Sequence, residues 1–144
     1  MNSADEFFRA LTSQVDLDDP RETCLAQKFM IDALYRATDS LPLPAREAAA
    51  IANRYSTGVI GLREVEAERV KLWELIAGRD CSDDDDVLRI RATICVLYPP
   101  NPSEMHDRVA IFLAFWFRGG LSGPQIAATL ENDYGITIDS IRPG

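Results

Sequence analysis

Hydrophobic positions in this chain recur every three or four residues, the period of an amphipathic helix, and short stretches rich in Pro, Gly and Asp separate the runs. Ser3 and Glu6 have the spacing of a capping box, and Phe7, Phe8, Leu11 and Val15 follow, so a first helix is expected from about Ala4 to Gln14. Asp16, Asp18 and Asp19 form an acidic turn. Asp19, Pro20 and Glu22 then read as N-cap, N1 and N3 of a second helix with Leu25, Phe29, Ala33, Leu34 and Tyr35 on its apolar face, ending near Thr38. Pro44 opens a third helix with Ala48, Ala49, Ala52 and Tyr55 on one side and Gly58 as its stop. Leu62, Val65, Arg69, Trp73 and Ile76 mark a fourth, closed by Gly78.

Two stretches depart from this simple period. Val109 to Phe117 holds nine consecutive uncharged residues, four of them aromatic. That run is too short for a bilayer, which takes ~20 apolar residues. A helix apolar all the way round is normally enclosed, so the central helix of a bundle is expected over about 102–118. Asn101, Pro102 and Glu104 would be its cap, N1 and N3, and Gly119 and Gly120 its stop. Val87 to Tyr98 is ambiguous, because Leu88, Ile90, Ala92, Ile94, Val96 and Tyr98 alternate as a strand would. Ser82 as a cap, the aspartates at an electropositive helix start, and the lack of a second strand pattern favour helix. Leu121, Ser122, Gln125 and Ile126 form a hydrophobic staple around a capping box, so a last helix runs to about Tyr134 and Gly135. Residues 136–144 read as a short irregular tail. The expected fold is all-α: a single domain over 1–144, a bundle of about six to seven helices.

Charge narrows the choice of partner. Lys plus Arg is 15 and Asp plus Glu is 23, giving a net charge of -8, a field that repels phosphate backbones. Direct nucleic-acid binding is therefore not expected, and a basic partner is favoured. The three cysteines, Cys24, Cys81 and Cys95, are odd in number and form no CxxC pair, so neither a disulfide framework nor a zinc ribbon is indicated. The N-terminus lacks the basic and apolar regions of a signal peptide, and the expectation is a cytoplasmic protein with no membrane segment.

Candidate chemistry is sparse. His106 is the only histidine, so neither HExxH nor a two-histidine metal site can form within one chain. Counting an EF-hand loop from Asp80 places Asp85 where Gly is needed and Arg91 where Glu is needed. Glu64 and Glu68 share a helix face, the geometry of paired acid/base carboxylates. Ion pairs from Glu66 to Arg69 and from Glu68 to Lys71 account for such charges as surface. P-loop, GxGxxG and GxSxG motifs are absent. Gln125 to Ile138 is similar to the second helix and following turn of acyl carrier proteins, but Gly119, Gly120 and Leu121 stand where that family carries the Asp-Ser-Leu of its prosthetic arm. Leu121-Ser122 with Ile126-Ala127 is similar to the first helix of a helix-turn-helix, but Ile136 to Gly144 is too short for a recognition helix. No cofactor, metal or catalytic residue is expected.

The functional expectation is an acidic, all-helical interaction module of the immunity or inhibitor type that neutralises a basic partner. Its contact residues would be Asp16, Asp18, Asp19, Glu64, Glu68, Asp83, Asp84, Asp85 and Asp86. One alternative is a homodimeric scaffold or regulatory protein, with Phe112, Phe115, Trp116 and Phe117 as dimer or core surface. A second is a small-ligand binder or enzyme with a pocket near Arg69, Trp73 and Tyr98.

Overall fold

Ser3 opens the first helix as its spacing requires: its hydroxyl accepts the Glu6 amide at 3.3 Å and lies 3.4 Å from the Glu6 carboxylate. In the computed structural model, which describes residues 3–138, seven α-helices follow in order. They are α1 Ala4–Thr12, α2 Thr23–Arg36, α3 Leu43–Ser56, α4 Leu62–Leu75, α5 Asp85–Ile94, α6 Met105–Arg118 and α7 Gly123–Tyr134, with single 3-10 turns at Pro20–Glu22, Thr38–Ser40 and Cys95–Leu97. The described residues form one helical bundle without strands. The segment Val87 to Tyr98 is helical through Ile94 and then tightens into the third 3-10 turn.

The packing follows from side-chain size. α6 sits deepest, with Met105, Val109, Phe112, Leu113 and Trp116 at most 1% exposed, and it packs chiefly on α5 and α1. The Trp116 indole N–H donates to the Ser122 carbonyl at 3.0 Å, so this large buried ring leaves no unpaired donor. Phe7 of α1 stacks on Phe117 with centroids 5.3 Å apart. Ala45, Ala48, Ala49 and Ala52 are buried along α3, where small side chains let α2 and α4 pack close. α7 lies against α2, tied by Gln125, whose side-chain amide donates to the Arg36 carbonyl at the end of α2 at 2.9 Å. α4 buries the smallest share of its residues: Val65 and Leu72 are fully buried, as is Ile76 at its C-cap, while Leu62, Val70 and Leu75 are exposed.

Four local expectations change. α6 begins at Met105 and not at Pro102, because Asn101 accepts the Ser103 amide and hydroxyl at 3.1 and 2.9 Å and holds the residues before α6 in a turn. The cap of α5 is Asp84 and not Ser82; Asp84 accepts the Asp86 and Val87 amides, while Ser82 only braces the Asp84 amide. Asp19 caps a 3-10 turn that leads into α2, and does not cap α2 itself. Finally, α6 is not enclosed on every side, since Ile111 is 49% exposed. Beyond the left-handed Gly135, Ile136 and Ile138 turn into the core although they lie outside any helix.

Candidate functional site

The open side of α6 faces a cleft of about 300 Å³ between α4, α5, α6 and the turn that follows α5. α4 supplies Trp73, α5 supplies Arg91 and Ile94, and α6 supplies Asp107, Ile111 and Phe115, with Tyr98 and Glu104 at one end. Its walls are aromatic, as small-molecule and peptide pockets commonly are, and carry two arginines and two carboxylates, Arg91, Arg108, Glu104 and Asp107. Trp73 and Tyr98 are where the sequence placed a pocket, and the Trp73 N–H lies 3.4 Å from the Tyr98 hydroxyl.

The turn explains why arginines gather here. The chain leaves its helical path at Tyr98, and Pro99, Pro100 and Pro102 have no N–H to donate. Among the described residues no backbone amide reaches the carbonyls of 97–99, so these need other partners. Arg69 donates to the Leu97 carbonyl at 2.9 Å and stacks 4.3 Å above the Tyr98 ring. It meets no Glu66 carboxylate. Arg108, only 8% exposed, donates to the Pro99 carbonyl at 2.9 Å and to Glu104 at 2.7 Å. Arg91 donates to the Asp80 carbonyl and lies between the rings of Phe115 and Trp73, 4.5 and 5.3 Å from their centroids. Arg118 pairs with Asp83 at 2.7 Å and lies 5.8 Å from the Phe115 centroid. Planar guanidinium groups suit this combination of carbonyl forks and ring faces. Beneath them the Cys95 thiol is pushed up to about 12 by burial.

The acidic residues singled out in the sequence come from three parts of the fold. Asp16 accepts the Asp18 amide at 3.0 Å, and Asp19 caps its turn and binds Arg21 at 2.8 Å, which holds the Asp19 carboxyl below the usual range. Glu64 accepts the Gly61 amide at 3.0 Å, and Glu68 pairs with Lys71 at 3.4 Å. Asp83, Asp84, Asp85 and Asp86 are all exposed at the start of α5; Asp83 meets Arg118 and Asp85 lies 3.9 Å from Arg89. Of the four aromatics on α6, Phe112 and Trp116 belong to the core, Phe117 is held by Phe7, and Phe115 alone lines the cleft. His106 is half-exposed and packs edge-on against Phe8.

Residues outside the sequence reading also matter. Arg91, Arg108 and Ile111 line the cleft, yet an unbroken apolar run hides which of its members faces out, and two arginines, Arg89 and Arg91, amid alternating apolar residues do not say which of them turns inward. A second polar cluster joins α2 to α7. Lys28 lies 2.5 Å from Asp32 and 3.4 Å from Asp133, whose side chain is 1% exposed and keeps one oxygen unpartnered. Burial, and then the bond to Asp133, hold the Asp32 carboxyl above the usual range.

Among the described residues no group of three or more His, Cys, Asp or Glu is placed to hold a metal ion, and no helix is long and apolar enough to cross a membrane. No known protein family, curated protein or solved structure matches the chain.

Proposed function

We propose that this chain is an acidic interaction module that docks a basic partner protein at the start of α5, beside the aromatic rim of the cleft. One observation carries the reading: exposed aspartates and an apolar anchor adjoin each other. Arg118, bonded to Asp83, covers Phe115, and the Asp80 carbonyl holds Arg91 against the same ring. Of the aspartates at 80 and 83–86, Asp83 and Asp85 meet an arginine and Asp84 is used as a cap, so the edge stays negative. Such an edge steers a cationic surface toward contact, and the neighbouring ring supplies desolvated area once it arrives. Inhibition of a basic, nuclease-like protein is one form this would take.

The test is capture from a lysate of the source organism, with mass spectrometry and a salt series. A basic protein retained by the native chain, weakened by salt and lost on Asp83→Lys/Asp85→Lys, is the expected outcome. Capture that ignores both salt and the charge reversal removes the reading. The cleft supports a second reading, a small aromatic ligand lying against the wall that Trp73 and Tyr98 share. A fragment screen by thermal shift checks it, and binding that survives Trp73→Ala would reject it.

A further inference from the structure

The exposed face of α6 is ordered by charge. Ile111 stands at its middle, half-exposed. Four residues before it is Asp107 and seven before it is Glu104; four after it is Phe115, covered by Arg91, and seven after it is Arg118. Glu104, Asp107, Ile111 and Phe115 all line the one cleft, and the Arg118 guanidinium reaches the Phe115 ring, so these positions share a face. At ~1.5 Å per residue, Glu104 and Arg118 lie about 10 Å to either side of Ile111. Along α6 itself the face is acidic at one end, apolar in the centre and basic at the other, with the exposed aspartates that begin α5 standing beside the basic end.

We infer that this face is built to bind a second copy of the same chain, with the two α6 helices antiparallel and crossing at Ile111. A two-fold axis there sets Ile111 against Ile111 of the second copy. It brings Glu104 toward Arg118 of the second copy and Asp107 toward Arg91 of the second copy, and repeats both contacts by symmetry. A parallel arrangement would set like charges together. Ordinary helix-dipole preference also places acids first and bases last on a helix, but it does not expose an isoleucine between them. Within one chain Glu104 pairs with Arg108 and Arg118 with Asp83. The Arg118–Asp83 pair lies at the surface and can exchange partners at little cost, while Glu104 keeps one carboxylate oxygen on the nearly buried Arg108 and, being itself more than half exposed, offers the other to the second copy. The inference goes beyond the basic-partner reading and does not rest on it.

Sedimentation velocity over a concentration series tests the arrangement on the full chain, with circular dichroism confirming that each variant is folded. The native chain should show a concentration-dependent dimer. Ile111→Asp, Glu104→Lys and Arg118→Glu should each weaken it by roughly tenfold or more. Mixing Glu104→Lys with Arg118→Glu should restore dimer formation to near the native affinity, since every end then meets its opposite. Ile111→Ser, a milder change, keeps the test informative if the aspartate variant fails to fold. A native chain that stays monomeric at millimolar concentration overturns the inference. So does a dimer indifferent to these substitutions, or a mixture that fails to recover.

Discussion

Arg108 shows how one side chain can hold a turn. Its guanidinium satisfies the Pro99 carbonyl while pairing with Glu104, and it is nearly sealed from solvent. Arg108→Ala should destabilise the protein by about 1.5–3 kcal/mol in urea unfolding, because a buried charged donor is lost and the part-buried Pro99 carbonyl loses its partner. Arg108→Lys should recover only part, since an ammonium cannot reproduce the fork. Asp32 gives a prediction of the opposite character. Its carboxyl is raised in the folded state by burial and by Asp133, so the folded chain binds that proton more tightly than the unfolded one. The contribution is fully present below the ordinary value of 3.8 and is lost as pH rises through the raised value. Asp32→Asn should therefore raise the melting temperature at pH 7, and should flatten that part of the stability-pH curve. No reading of the sequence pointed to this pair, because Asp32 and Asp133 come together only through the docking of α7 on α2.

At the scale of elements, caps and core positions separate cleanly. Asp84→Ala should cost roughly 0.5–2 kcal/mol, because two amides at the start of α5 lose their acceptor, and Ser82→Ala should cost less. Chevron or equilibrium denaturation of the two variants side by side checks the order. On α6, Trp116→Ala should cost about 3–5 kcal/mol and Phe115→Ala markedly less, since the first empties the core and the second trims a wall of the cleft. The helices themselves were legible in the sequence, because capping chemistry and a 3.6-residue period are local signals. Ser3, Ser122, Gly58 and Gly135 stand where the sequence put them. The start of α6 was not legible, as Asn101 offers the same oxygen to a helix or to a turn and only the geometry chooses. Nor could an unbroken apolar run reveal which flank of α6 stays open; that depends on how far α4 stands from it.

As a whole, the molecule sets its net charge of -8 against a face that concentrates four arginines on aromatic rings. Composition reports the first and conceals the second, since Arg69, Arg91 and Arg108 are placed by the carbonyls of Leu97, Asp80 and Pro99, and Arg118 by the Asp83 carboxylate. The pocket was half visible: Trp73 and Tyr98 line it, while Arg69 stands behind Tyr98 and does not line the cleft itself. The cysteines add an internal clock to the whole. Cys24 and Cys81 are open to solvent, whereas Cys95 is buried and held protonated. Under native conditions a maleimide reagent should modify two thiols at once and the third only when the bundle opens. The slow third step would then measure the rate and free energy of that opening without any engineered reporter, and the same assay repeated with a bound partner would read its grip on the folded state.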